Sequence, residues 1–129
     1  MPASRRKGRV QGKKRLSVVA PFPHPRDRRL IASFDRRELI RILDVYGRMV
    51  AAGHWRDYAI SFSPEVAVFA AFRRSSERPE MRIEKRPALR SKQGEFALIG
   101  EHGQALKRGQ DLGLVLAPIE RRLIRLVAR

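Results

Sequence analysis

Three features of this 129-residue sequence predict an α+β fold: an N-terminal helix, a four- or five-stranded antiparallel meander and a C-terminal helix. A helical apolar period appears twice, over about residues 36–52 and again after residue 111. Between them lie short runs in which apolar and polar residues alternate, as in half-buried strands. Those runs follow one another across turn residues with no helix between, which favours antiparallel neighbours.

The first helix has the clearest start. Asp35 as N-cap places Glu38 at the third helical position, an Asp form of the capping box, and Phe34 before the cap can pack on Leu39. Leu39, Ile42, Leu43, Tyr46, Met49 and Val50 form its apolar stripe, and Gly53 is the natural stop because it accepts positive φ. Tyr58, Ile60 and Phe62 then alternate with Ala59 and Ser61 as a first strand, and Ser63-Pro64-Glu65 turns. Val66 to Phe72 is apolar on both faces and reads as a central strand. Met81 and Ile83 alternate with Arg82 and Glu84 in a third, which Pro87 ends. Glu95 to Ile99 and Gln104 to Lys107, joined through Gly100 and Gly103, make the fourth and fifth. Asp111 can cap a last helix striped by Leu112, Val115, Leu116, Ile119, Leu123, Leu126 and Val127, with a kink or break expected at Pro118.

Charge is the strongest compositional signal. Lys and Arg number 29 against 13 acids, a formal net charge of +16. Residues 1–29 hold ten of those cations and one acid, show no sustained period, and carry Pro21, Pro23 and Pro25. They are expected to be a disordered basic arm, leaving 30–129 as a single α+β domain. The absence of cysteine excludes disulfides, thiolate metal sites and cysteine nucleophiles. No apolar run reaches the ~18 residues that a membrane-spanning helix needs, and no signal-peptide core follows the basic start, so a cytoplasmic location is expected.

Three blocks, YGRMVAAGHWRDYAI from Tyr46, the FRRSSERP…MRIEKRP stretch and KRGQDLGLVL, resemble an uncharacterised bacterial family known as domain of unknown function 2794, typical of alphaproteobacteria. The resemblance runs from about Phe34 to Leu116 and leaves the arm outside. It implies an acid before the tryptophan, where this chain has His54, and no proline at 118. It supports the domain boundary and a cytoplasmic location, and implies no activity.

The candidate site residues are therefore read from chemistry. In the arm, Arg5, Arg6, Lys7, Lys13, Lys14 and Arg15 are placed to track phosphates, with solubility or attraction to anionic lipid headgroups as the weaker alternatives. Arg56, Arg73, Arg74, Arg82, Lys85, Arg86, Arg90, Lys92, Lys107 and Arg108 are the folded part's candidates for a continuous phosphate-binding surface. Charged edge strands that resist pairing with other chains would produce the same pattern. Trp55 is either a core plug, with Arg56 and Asp57 ion-paired beside it, or a platform on which a base stacks.

No catalytic constellation is recognisable. A metal-dependent nuclease would need Glu65 or Asp57 to pair with Glu84 and a lysine two residues on, where Arg86 stands. His24, His54 and His102 lack metal-ligand spacing, so no metal or cofactor is expected. The expectation is a non-enzymatic accessory protein that binds nucleic acid, with RNA (ribosomal RNA included) ahead of DNA because no DNA-reading helix motif appears. The alternative is an adaptor for an acidic protein partner.

Overall fold

Asp35 starts the first helix through a reciprocal pair of bonds. Its carboxylate accepts the Glu38 N–H and the Glu38 carboxylate accepts the Asp35 N–H, both at 2.8 Å. Residues 31–74 and 78–127 are described by the computed structural model, and α1 spans Arg36–Ala51. The arm lies outside the described residues. Gly53, at φ 77°, lets the chain reverse after the helix. Ile42, Val45 and Met49 are the buried stripe, whereas Val50, expected among them, is 40 % exposed. The 3.6-residue period runs through 42, 45 and 49 and carries position 50 off that line.

Five strands follow: β1 (Asp57–Phe62), β2 (Ala67–Phe72), β3 (Met81–Lys85), β4 (Phe96–Ile99) and β5 (Ala105–Gly109). They form one sheet in sequence order, each antiparallel to the next. A 3-10 turn, Pro87–Leu89, separates β3 from β4. Gly94 (φ 109°) then brings the chain so close to Gly109 that an added Cβ would lie 2.6 Å from its backbone. The last helix, α2, spans Leu112–Val127. Asp111 caps it by accepting the Gly113 N–H at 2.8 Å.

Pro118 lies inside a continuous α2, so of the kink or break expected there the break does not occur; Val127, expected in the stripe, is 74 % exposed at the helix end. Val115, Leu116, Ile119 and Leu123 are buried on both sides of the proline, and a continuous apolar stripe outweighs one missing backbone bond. The carbonyl that loses its donor belongs to Leu114, a residue 59 % exposed, where water can substitute.

Both helices cover the same sheet face and run parallel. Arg48 of α1 pairs with Glu120 of α2 at 3.2 Å, and about two turns earlier on both helices the Arg41 guanidinium lies over Gly113. The core between helices and sheet is built from Phe69, Ile83, Phe96 and Leu98 on the strands, the two helical stripes, and Phe34 and Trp55 at its ends. Tyr46 packs against Trp55, Tyr58 and Phe69, with ring centroids 6.0, 5.0 and 5.8 Å away. Burial, followed by the nearby Asp57 and Tyr58, pushes its hydroxyl pKa up to about 12.

Strand register defines the other face. Ser61, Val68, Glu84, Ala97 and Arg108 stand in one row across the five strands, and Ala59, Ala70, Arg82, Ile99 and Ala105 in the next. Ala70, Ala97 and Ile99 are buried, yet they lie outside the cluster that the helices enclose. No described helix packs on that side.

Candidate nucleic-acid interface

The expected continuous basic surface divides between two ends of the sheet. At one end the β2–β3 connection and the residue before β1 bring Arg56, Arg73 and Arg74 together, the Arg56 N–H bonding the Phe72 carbonyl at 2.8 Å. A cleft of ≈ 210 Å³ opens there, lined by Arg73, Arg74, Arg78, Glu80 and Glu101. At the opposite end stand Arg86, Arg90 and Lys92 of the β3–β4 connection, tied to the end of β5 by the Gln110 side chain, which donates to the Arg90 carbonyl. The ends are about 17–20 Å apart, the length of such a strand. Arg82 and Arg108 lie between them on the helix-free face, while Lys107, exposed on the edge strand, falls in the row of Leu98 on the covered face.

Two of the expected residues are engaged in the interior. Lys85 shares its face with Ile83 and Phe69, is 8 % exposed, and donates to Glu38 at 2.7 Å. Glu95 lies 3.9 Å from its ammonium on the other side. Period-2 alternation places Lys85 with Met81 and Ile83, on the side that α1 covers, so no phosphate reaches it. Trp55 is 2 % exposed and donates its indole N–H to Glu80 at 2.5 Å. A base cannot stack on a ring sealed in the core, and the plug is the correct reading. The ion pair expected between Arg56 and Asp57 does not form; Asp57 accepts the Tyr58 N–H instead.

Three carboxylates organise the arginines, and the sequence reading assigned none of them this part; Glu95 accepts from Arg90 Nε and Nη2 at 3.2 and 2.8 Å. Glu80, just before β3, accepts from Trp55, from Arg122 at 2.9 Å, and lies 3.4 Å from His54 and 3.7 Å from Arg73. Arg122 Nη2 also contacts His54 Nε2. Burial first, and the Arg122 guanidinium second, hold the imidazole below its ordinary pKa against the opposing pull of Glu80. Glu84, on the helix-free face, is 8 % exposed. Its Oε1 accepts from Arg86 Nε at 3.3 Å, and its Oε2 lies 3.5 Å from Arg82 Nε. A sequence signal for this second cluster existed: Arg82, Glu84 and Arg86 share one parity along a strand and so one face. The Glu80 clamp joins residues up to 68 apart and had no such signal.

Glu84 has Val68 and Ala97 as row neighbours and two arginines at its oxygens. Among the described residues no group of three or more His, Cys, Asp or Glu side chains is placed to hold a metal ion.

The profile of a family described as "Protein of unknown function (DUF2794)" matches residues 32–116, about two thirds of the chain. The chain belongs to this family. The DUF2794 span takes in α1, the whole sheet and the first turn of α2, and thus both Glu80 and Glu84; Arg122 lies beyond it. No curated protein and no solved structure matches the chain. No helix among the described residues is long and apolar enough to cross a membrane.

Proposed function

We propose that this DUF2794 member is a non-enzymatic cytoplasmic accessory protein that binds the phosphate backbone of nucleic acid, RNA ahead of DNA, through its basic arm and the arginine-rich side of its sheet. The inward position of three carboxylates carries this reading. The side chains of Glu80, Glu84 and Glu95 are 12, 11 and 9 % exposed, while Arg73 and Arg90, which they hold, are 60 and 67 % exposed. At these three sites negative charge is drawn in and positive charge is left outside, so the local field that an approaching polyanion meets there is more positive than the paired charges alone suggest. RNA is placed ahead of DNA because the chain carries no recognisable DNA-reading helix motif.

Binding of labelled RNA and DNA by the full chain, measured over a range of salt, tests the reading. A steep linear fall of log affinity with log salt is expected, with a shallower slope once residues 1–29 are removed. Failure to bind either polymer in dilute buffer overturns it. Capture of an acidic protein that persists after nuclease treatment would then favour the adaptor.

A further inference from the structure

Ala70, Ala97 and Ile99 are buried on a face that no described helix covers. Their neighbours on that face are Arg82, Glu84 and Arg108, long side chains whose stems can shield small residues while the charged heads stay near water. The floor is low, and the groups standing on it are arginines held in a particular way. Glu84 engages Arg82 and Arg86 on the Nε side. A guanidinium has five N–H donors in a rigid plane, so using Nε on the carboxylate leaves the Nη groups of both forks for another acceptor. Arg108, one strand beyond Ala97, contributes a third fork. Its Nη1 is buried and has no hydrogen-bond partner, which is costly for a donor and leaves this fork less fully engaged within the fold than those of a closed ion pair.

We infer that Arg82, Arg86 and Arg108 form a preorganised phosphate seat on the helix-free face, gripping backbone phosphodiesters of a single-stranded nucleic acid. The inference rests on the proposed function and locates its binding site within the fold. Glu84 acts as a positioning residue: it fixes two of the forks in advance, which lowers the ordering cost at binding. Arg82 and Arg108 stand on β3 and β5, two strand spacings or ~10 Å apart, so the seat meets more than one phosphate. A flexible single strand can bend to present successive phosphates to forks on different strands, and no described helix rises from this face to enter a duplex groove. Aromatic stacking platforms dominate many single-strand sites, but the described strand residues of this face offer only Phe72, half-buried. Recognition is therefore of the backbone and tolerant of sequence.

The test uses the full chain, a labelled single-stranded RNA, the DNA of the same sequence and the matching duplex, with anisotropy read at several salt concentrations. Arg82→Gln with Arg108→Gln is compared with Arg121→Gln and Arg125→Gln, which remove the same charge from exposed positions on α2. The sheet pair is expected to weaken single-strand binding about 10-fold and to reduce the salt slope by roughly 1.4, two contacts at ~0.7 each. The helix pair should change affinity less than about 2-fold and leave the slope in place. Equal losses from the two pairs, or no loss from the sheet pair, overturn the seat while leaving nucleic-acid binding intact. So does a preference for the duplex, or displacement of the RNA by millimolar inorganic phosphate, which would assign the seat to a lone phosphate. A wild-type chain that binds none of the probes removes both readings together.

Discussion

Glu80 and Glu84 stand four residues apart, are almost equally buried and both draw in arginines, yet they end on opposite sides of the molecule's design. Glu80 lies at the joint of α1, β3 and α2, where an indole N–H, a guanidinium and an imidazole close around it. Three of its partners are themselves enclosed, Trp55 at 2 % and the His54 and Arg122 side chains at 17 and 24 % exposure, with Arg73 approaching from the surface. Glu84 pairs with two arginines among the described residues, with side chains 33 and 39 % exposed. The same pairing is a structural joint where enclosed side chains from separate elements converge, and a surface cluster where the partners are two half-exposed arginines. The enclosure of the partners, more than the carboxylate's burial, separates the two.

Removing the first carboxylate should have the largest effect. Glu80→Ala leaves the Arg122 guanidinium and the Trp55 N–H without their acceptor in an enclosed place, and a loss of ~3 kcal/mol or more is expected in chemical denaturation. Glu84→Gln should lose about 1 kcal/mol or less, because its arginines can turn to water. Similar losses for the two would erase the distinction. Trp55→Phe keeps the ring in the core and deletes only the indole donor, so a decrease of ~1–2 kcal/mol is expected. A neutral result would show that the Glu80 clamp does not depend on that bond.

Smaller still is a pH effect confined to the Glu80 side. The fold holds His54 below the ordinary histidine pKa of 6.5, so the unfolded chain binds the proton more readily. Stability rises with pH wherever the unfolded state carries more protons. The contribution of His54 is therefore complete above pH 6.5 and is lost as the pH falls from there through its lower folded value. His54→Gln should flatten that part of a stability–pH curve; an unchanged curve would show that another group is responsible.

Much of the fold was readable because local and tertiary signals agree. The capping box of Asp35 and Glu38, the stop at Gly53 and the alternation over Met81–Lys85 each specify an element through contacts a few residues apart. Lys85 shows where alternation was available and charge was followed instead: its parity with Met81 and Ile83 already placed it on the covered face. Pro118 shows a local rule overridden by burial on either side of it. The clamp at Glu80 could not be read, since His54, Trp55, Glu80 and Arg122 come from three separate elements and meet only once the helices lie parallel on the sheet. The seat at Glu84 was half legible: parity aligns Arg82, Glu84 and Arg86, but the addition of Arg108 depends on the β4–β5 register.

The sharpest test of the account is the affinity of Glu84→Gln for single-stranded RNA, compared with Glu101→Gln on the exposed β4–β5 turn. Each substitution raises the net charge by one. If attraction were a matter of total charge, both would bind more tightly. Orientation of Arg82 and Arg86 by Glu84 predicts that Glu84→Gln binds several-fold more weakly, with a shallower salt slope, while Glu101→Gln binds as well as the wild type or better. Tighter binding by a folded Glu84→Gln chain would contradict the account.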